Sequence, residues 1–410
     1  MLEIELKQFF RQKKLVFLLF LLGALLLGQS LYFSYNHQVA KEEKVQYYQQ
    51  FLSRFEHLGD EIEAAYQQEL IDEASYQEEK EFIEGYLDTY KMELEAVEKE
   101  DWNYFYTKNI QNLLRDGAYV STTYDSYDIP SQTIENTVAV SRYLKEHQLP
   151  TAFPVNYFLT EFDQFETEAD RELIYRLGKQ ALKGTSHQIW FSLKGWGILY
   201  LLPLFLLLFA DFYTKDQTGL NRQRRFLKTV GLSPRTIISH KTLAFLGLFL
   251  FSYITVYTLH YSIIFLVNGA SSWSYPITHY ISNGIDTFVP HSQVELIIKP
   301  IYQAVLISFG LELLYLFLIL GLAQLVTHVT KSPLSGCLLT LVFSLGGSWI
   351  QHPLNPFALW NAGAIADGSL LVHTNNQQFS FSHAYLVLSV ASCLVYGLLY
   401  FSLTHDTREV

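Results

Sequence analysis

A single carboxylate interrupts one of the most apolar stretches of the sequence. Glu312 lies near the middle of residues 301–329, which contain no other Asp, Glu, Lys or Arg. Inside a membrane helix an acidic side chain is costly and usually faces the interior of the helix bundle. Glu312 could therefore contact a substrate or a cation. It could equally form a hydrogen bond that locks its helix to a neighbour, with Tyr257 or His260 as the partner.

A second group of residues concentrates positive charge between two apolar stretches. Residues 215–241 contain seven Lys or Arg residues and one acidic residue, although the whole chain has a formal net charge of −11. Basic and apolar residues interleave over 220–232, which predicts a short amphipathic helix that Gly231 and a Ser-Pro-Arg turn bring to an end. The charge could serve only to fix topology and hold anionic lipid. The helix could instead lie in the membrane interface or dock into a groove of a cytoplasmic partner.

Motifs of several catalytic classes do not occur in the sequence. It contains no G-x-x-x-x-G-K-[ST] phosphate-binding loop, no H-E-x-x-H zinc motif and no G-x-S-x-G nucleophile motif. Both cysteines, Cys337 and Cys393, lie in apolar stretches, where packing rather than a disulfide is expected. We therefore expect no catalytic residue, no metal or cofactor bound by this chain, and no nucleic-acid partner.

The apolar stretches are long enough to place such residues inside a bilayer. About 20 helical residues cross a hydrocarbon core of about 30 Å. The candidate spans are residues 15–35, 189–210, 242–267, 301–329, 334–350 and 384–403, of which the fifth is the shortest. The sequence thus predicts an all-α polytopic membrane protein with six transmembrane helices. No small-x-small cleavage site follows the first span, so we expect it to remain as an anchor.

The basic residues of the short loops predict the orientation. With six spans, the segments on one side carry 13 Lys or Arg residues, whereas the short loops 268–300 and 351–383 on the other side carry only Lys299. Basic short loops stay in the cytoplasm. Both termini are therefore predicted to be cytoplasmic, with an amphipathic helix at 1–14 and a tail at 405–410.

Residues 36–187 are then extracellular, and spans 2–6 occupy residues 188–404. The extracellular part contains 14 basic and 30 acidic residues, so the acidic character of the chain belongs to it. Apolar periodicity predicts helices over 51–70, 82–97, 133–147 and 167–183, the first two as an antiparallel hairpin and the last running into span 2. Asp72 or Ser75 is the expected cap of the second helix. The many Tyr residues could line a ligand surface or form a half-exposed core.

The loop between spans 2 and 3, residues 214–241, also has an order of residues that is known from one family. Asp216 and Gly219 precede the basic and apolar helix 222–227, a Leu-Ser-Pro-Arg turn follows, and Lys241 opens span 3. Together with the six spans and the amphipathic segment before them, this order resembles the permease subunits of ABC-2-type ABC transporters. Family members often have Glu at the position of Asp216.

The stretch HPLNPFALWNAG between spans 5 and 6 adds to this resemblance. Such a stretch commonly forms short external helices that dip back into the membrane, where surrounding protein buries their backbone. The large insertion between spans 1 and 2 occurs in only some branches of the family. The resemblance therefore leaves the substrate open.

The resemblance implies a transport subunit of a bacterial plasma membrane that hydrolyses nothing itself. ATP and Mg would be bound by a separate cytoplasmic ABC ATPase, whose closure pushes on the loop, and two permease chains, as a homodimer or heterodimer, would enclose the pathway in the lipid bilayer. Such permeases usually export, so an amphiphilic peptide, lipid-like molecule or drug is expected, with a small ion as a further option. The residues assigned to ATPase coupling are Asp216, Gly219, Arg222, Arg224, Arg225, Phe226, Leu227, Lys228 and Arg235.

A protein of another class would have the same features. In a membrane sensor or scaffold, the extracellular part would bind a ligand and the basic loop would recruit a cytoplasmic signalling partner. An adjacent gene for an ABC ATPase would favour the transporter over the sensor.

Overall fold

The chain divides into two compact units. The computed structural model describes residues 13–115, 117–119, 123–124, 127–149, 153, 155–163, 167–178, 180–214, 233–282 and 293–405. One unit, here called the apolar unit, comprises Met1–Ser30 and Gly184–Val410. The other, the acidic unit, comprises Leu31–Lys183.

The acidic unit is built mainly from helices. Its elements are α1 (Lys13–Gln67, whose first part belongs to the apolar unit), α2 (Glu73–Glu98), α3 (Trp102–Leu113), β1 (Leu114–Arg115), β2 (Ala118–Tyr119), β3 (Thr123–Tyr124), β4 (Tyr127–Asp128), α4 (Ser131–Glu146) and α5 (Glu168–Gly178). β1 pairs with β2 and β3 with β4, both antiparallel. A small core beside α4 consists of Leu113, Ile129, Ile134, Val138, Tyr157 and Ile174.

α1 and α2 form the antiparallel hairpin that the periodicity predicts. The carboxylate of Asp72 accepts a hydrogen bond from the backbone N–H of Ser75 at 2.8 Å, so Asp72 is the cap. Ring contacts pair Phe51 with Tyr90, Phe55 with Tyr86 and Tyr66 with Tyr76. These contacts shield aromatic surface on both helices from water, which stabilises the hairpin.

The predicted helix over 167–183 is wrong in its second half. α5 ends at Gly178, and the next helix begins only at Thr185. At Gly178 a Cβ would lie 2.3 Å from Cγ of Leu159, so the missing side chain makes room for this leucine. Gly184 has a φ of 102°, which no helical residue adopts. Periodicity extended the helix too far because it does not detect such backbone reversals.

The apolar unit contains the first part of α1 and the elements after Gly184. They are α6 (Thr185–Phe191), a π-helical turn (Ser192–Trp196), α7 (Gly197–Phe209), α8 (Pro234–Asn268), β5 (Pro276–Ser282), β6 (Val294–Pro300), α9 (Ile301–Thr330), α10 (Pro333–Ser348), a 3-10 turn (Pro356–Leu359), α11 (Ala362–Ala366), α12 (Ser369–Thr374), a second 3-10 turn (Gln377–Phe379) and α13 (Phe381–His405). α9 lies centrally and packs against α10 and α13.

Several of these helices have the length and composition of membrane spans. Within the described ranges, four helices qualify: α1, α8, α9 and α13. α6 and α7, which meet at a bend of 71°, would raise the number to five if the pair is a single span. α10 is apolar but has only 16 residues. The chain is thus mostly helical, with several apolar helices compatible with a multi-pass membrane protein.

The all-α prediction omitted the sheets. β5 and β6 pair antiparallel from Pro276 opposite Pro300 to Ser282 opposite Val294, and the acidic unit contributes the two short strand pairs. β5 and β6 are rich in Ile, Val, Thr and Tyr, which favour extended backbone. This signal is visible in the sequence of both strands.

Candidate functional site

Glu312 lies in the interior of the apolar unit. Its side chain belongs to α9 and is only 2% exposed. The Tyr253 hydroxyl donates a hydrogen bond to Oε2 of Glu312 at 2.9 Å, and the Tyr257 hydroxyl donates to the same oxygen at 2.5 Å. Both tyrosines lie on α8, four residues apart, so they share one helix face. The carboxylate therefore joins α8 to α9.

Aromatic packing fixes the two tyrosines. The ring of Tyr257 meets the ring of Phe309 edge-on, with centroids 4.6 Å apart, and the rings of Tyr253 and Tyr257 lie 5.0 Å apart. The Tyr253 hydroxyl also reaches the backbone carbonyl of Phe309, at 3.3 Å. Because the rings are held by their neighbours, their hydroxyls stay directed towards Glu312.

The start of α7 also approaches this carboxylate. A Cβ at Gly197 would lie 3.4 Å from Oε1 of Glu312 and 2.8 Å from the backbone oxygen of Ser192. Only a residue without a side chain allows this approach. The carboxylate of Glu312, on α9, is therefore approached by both α7 and α8.

His260 lies next to the cluster but does not bond to the carboxylate. It is fully buried, and its ring lies 6.4 Å from that of Tyr257 and 6.5 Å from that of Tyr200. Neither of its ring nitrogens has a hydrogen-bond partner among the described residues. Of the two predicted partners of Glu312, Tyr257 is confirmed and His260 is not. Tyr253 was missed, although its spacing of four residues from Tyr257 is visible in the sequence.

Further polar contacts connect α1, α6 and α8. The Gln29 amide donates to the Ser192 hydroxyl at 3.3 Å, and the Ser30 hydroxyl donates to Oε1 of Gln188 at 3.2 Å. The Asn268 amide donates to the backbone oxygen of Ser30 at 2.9 Å. Polar groups between apolar helices need such partners, because no water is available there to replace them.

The helix break beside Glu312 carries an ion pair. Lys194 and Gly195 have non-helical backbone angles, with φ of 139° at Gly195. The ammonium of Lys194 lies 2.8 Å from Oδ2 of Asp367, whose side chain is 3% exposed. This pair could not be found from spacing, because 173 positions separate the two residues.

Asp367 belongs to the segment between α10 and α13. Its Oδ1 also accepts a hydrogen bond from the backbone N–H of Ser369 at 2.9 Å. Burial raises the pKa of Asp367, and the nearby Lys194 ammonium opposes that rise. At Gly363 a Cβ would lie 2.6 Å from Cα of Lys194, so a glycine is needed where this segment meets the break. Of the short helices predicted for residues 352–363, the structure has the 3-10 turn Pro356–Leu359 and the start of α11.

Most of the predicted coupling residues lie outside the described residues. These are Asp216, Gly219, Arg222, Arg224, Arg225, Phe226, Leu227 and Lys228. The end of the loop is described: the Ser233 hydroxyl accepts a hydrogen bond from the Thr236 N–H at 3.2 Å, and Pro234 is the first residue of α8. Arg235 is exposed and Lys241 is buried.

Metal ligands do not converge in the part of the chain that the structure describes, where no group of three or more His, Cys, Asp or Glu side chains could hold an ion.

No protein-family model matches this chain, and no curated protein or solved structure matches it either.

Proposed function

We propose that this chain is the permease subunit of an ABC-2-type ABC transporter, with six spans, cytoplasmic termini and an extracellular acidic unit. It exports an amphiphilic substrate and depends on a separate ATPase that binds ATP and Mg. The observation that carries the proposal is the buried carboxylate of Glu312, which lies between three helices beside a helix break. A buried acid in such a position is more typical of a moving or conducting bundle than of a passive anchor.

The position of α8 suggests how ATPase closure would reach Glu312. α8 begins at Pro234, directly after the basic loop, and carries Tyr253 and Tyr257 on the same helix. With a rise of 1.5 Å per residue, Tyr253 lies about 28 Å along the helix from its first residue. A push on the loop would shift α8 as a rigid element and change the hydrogen bonds to Glu312.

The first test addresses ATPase coupling. Reversing the charge of Arg224 and Arg225 to Glu, together with Phe226→Ala and Leu227→Ala, is expected to abolish co-purification with the partner ABC ATPase. The reason is that a docking helix needs both its charge and its apolar edge. Pull-down and ATPase assays of the complex measure the effect.

Lys331→Glu serves as the matched control, since Lys331 is a basic residue predicted on the same side but outside the loop. The control variant should retain the ATPase. If the fourfold variant retained the complex and its stimulated ATPase rate, the coupling assignment would be wrong.

A second candidate function is a ligand sensor. It is favoured by one observation, a cavity inside the acidic unit that is lined by aromatic and charged side chains. Reconstitution of the purified chain with its ATPase separates the two functions. Substrate movement across the vesicle membrane supports the permease, whereas ligand binding without any transport supports the sensor.

A further inference from the structure

The hairpin of α1 and α2 carries a row of aromatic rings along one side. Phe55 stacks on Tyr86 with ring centroids 4.9 Å apart, and Phe51 lies 5.1 Å from Tyr90. The rings follow one another at intervals of four residues on each helix, so each set shares one helix face. We call this surface the aromatic face, and its members are Tyr47, Phe51 and Phe55 on α1 and Phe82, Tyr86 and Tyr90 on α2.

Three of these rings are open to solvent. Tyr47 is 44% exposed, Phe82 53% and Tyr86 39%, whereas the other three rings of the aromatic face are half-buried. The hairpin therefore uses only part of its aromatic surface for its own packing. Apolar surface that stays exposed as one continuous patch usually marks a place where a partner binds.

One end of the aromatic face is continuous with a cavity of about 660 Å³ inside the acidic unit. Tyr47 and Tyr90 belong to the aromatic face and also line this cavity, and the buried rings of Phe105 and Phe153 line it further in. Its described lining contains two lysines and two acids: Lys44, Lys108, Glu43 and Glu93. The cavity thus does not select a charge, and its rings offer a place for an apolar group.

The surroundings of the aromatic face are acidic. Residues 51–91 contain 12 Asp or Glu residues and three Lys or Arg residues. Glu78 and Glu79 precede Phe82 by four and three residues, so their exposed carboxylates lie on the same side of α2 as this ring. Rings and negative charge therefore occur side by side.

The basic residues of this stretch are mostly directed elsewhere. Lys80 and Lys91 lie two and nine residues from Phe82, which at 3.6 residues per turn places them on the opposite side of α2. Arg54, three residues after Phe51, is the basic residue on the side of the rings. The carboxylates beside the aromatic face are thus only partly balanced.

Such a surface favours a positively charged partner. The face of a tyrosine or phenylalanine ring attracts Arg and Lys. Rings of the acidic unit already accept ammonium groups, because Lys80 lies 5.6 Å from the ring centre of Tyr76 and Lys44 lies 5.1 Å from that of Phe105. A second copy of the hairpin, or an anionic lipid surface, would instead meet charge of its own sign.

We propose that the aromatic face binds a cationic amphipathic peptide, whose Arg or Lys side chains lie against the rings and beside Glu78 and Glu79. One apolar side chain of the peptide enters the cavity. Phe82 and Tyr90 are eight residues apart, which is about 12 Å along α2 and the length of about four extended peptide residues. The proposal concerns the acidic unit by itself and does not depend on the permease function.

Titration calorimetry of the full-length chain in phosphatidylcholine nanodiscs tests the proposal, with empty nanodiscs as the blank. The probes are hexapeptide amides in which Trp alternates with Arg, with Gln or with Glu, and a fourth in which Ala alternates with Arg. We expect the Trp and Arg peptide to bind at least about tenfold more tightly than the others, because they lack either the positive charge or the apolar side chains.

This affinity should also fall when the salt concentration rises from about 0.05 M to about 0.5 M, since exposed charges are then screened. Equal affinities for the Arg and Gln peptides would refute the proposal. Tighter binding of the Glu peptide, or no binding above the blank, would refute it as well.

Two pairs of acid variants locate the charge. Glu78→Gln with Glu79→Gln is expected to weaken binding of the Trp and Arg peptide at least about threefold, because two exposed ion pairs are lost. Glu84→Gln with Asp88→Asn is the matched control, since both residues lie two positions from a ring of the aromatic face and hence on the opposite side of α2. All four side chains are exposed, so the variants should fold. Equal weakening by both pairs would contradict this site.

A ring variant tests the apolar contact. Phe82→Ser with Tyr86→Ser is expected to weaken binding of the same peptide at least about tenfold, because aromatic side chains dominate the affinity of most interfaces. Tyr175→Ser is the control, since this exposed tyrosine lies on α5, outside the aromatic face. Thermal unfolding shows whether each variant is folded. Unchanged affinity in the folded ring variant would exclude the aromatic face, and the acid variants decide if it does not fold.

A second copy of the chain is the competing occupant. Analytical ultracentrifugation in detergent measures the mass of the wild type and of the ring variant. We expect the two masses to be equal, because like charges on two hairpins repel each other. Self-association that is present in the wild type and lost in the ring variant would show that another copy covers the rings, and it would overturn the proposal.

Discussion

Tyr253 and Tyr257 both donate to one carboxylate oxygen of Glu312. At the scale of single residues, this double contact is the best defined feature of the apolar unit. A buried carboxylate that loses a donor bears the full cost of its missing hydrogen bond. The two hydroxyls therefore determine how firmly α8 is held against α9.

Tyr257→Phe tests this contribution. It removes the 2.5 Å hydrogen bond and keeps the ring that packs on Phe309. We expect the protein to lose about 1–3 kcal/mol of stability, the range for a hydrogen bond to a charged or buried group. Thermal unfolding in detergent measures the loss. Tyr261→Phe on the same helix is the matched control, since Tyr261 is 37% exposed. Equal stability of the two variants would mean that the contact contributes nothing.

At the scale of elements, the break between α6 and α7 is held by residues far away in the sequence. Lys194 pairs with Asp367 at the break, and Gly195 supplies the backbone angles that a side chain would disfavour. The β5–β6 strand pair also contacts this ion pair's segment, because the backbone N–H of Tyr280 donates to the carbonyl of Asp367 at 2.8 Å. At Gly368 a Cβ would lie 2.1 Å from the Tyr280 oxygen. The break is therefore a packed structural feature with specific requirements for glycine.

Lys194→Met is expected to destabilise the protein, because it leaves the Asp367 carboxylate buried without its cation. The loss should be about 2–3 kcal/mol, below the value for a fully buried pair because Lys194 is partly exposed. Thermal unfolding measures it. Adding Asp367→Asn to this variant should restore part of the stability, since no buried charge then remains.

This loss should depend on pH with a definite sign. Burial raises the pKa of Asp367 in the folded state, so the folded protein binds a proton more readily than the unfolded chain. The stability contribution of Asp367 therefore decreases as the pH rises from its unfolded value through the raised one. Removing Lys194 raises this pKa further, so the difference between variant and wild type should shrink on acidification. A difference that grew at acidic pH would contradict the ion-pair assignment.

At the scale of the whole molecule, charge and apolar surface are separated between the two units. Residues 36–187 hold 30 of the 40 acidic residues, whereas the apolar unit contains Glu312 as the acid inside its long helices. The acidic unit has its own core and cavity, and the apolar unit has its own polar cluster. Variants in one unit can therefore be tested without changing the core or the polar cluster of the other.

Glu312→Gln tests the proposed transport function. The amide keeps the shape and one acceptor oxygen, so the chain should still assemble with its ATPase. We expect ATP-driven export to fall because the charge at the centre of the bundle is lost. Transport into proteoliposomes, measured over a panel of amphiphilic peptides, drugs and ions, gives the effect. Glu295→Gln in β6 is the control for removal of a carboxylate. Export at the wild-type rate by the Glu312 variant would leave Glu312 a structural role alone.

Part of this fold could be predicted because its cause is local. Apolar runs indicated α1, α8, α9 and α13, and spacing indicated the hairpin with Asp72 as a possible cap. Glu312 was found because one charge in an apolar run is visible without a structure. Tyr257 could be predicted as its hydrogen-bond partner because it lies on the preceding span.

The remainder depends on contacts between distant segments, which spacing does not encode. The sequence by itself determined the mostly helical class, the separation of charge from apolar surface and the identity of the buried acid. Only the tertiary structure decided that Lys194 pairs with Asp367, that α5 stops at Gly178 and that Lys44 and Lys108 line the same cavity. The physical reason is that helix formation depends on residues close in the sequence. The partner of a side chain is instead selected by how segments that are distant in the sequence pack together.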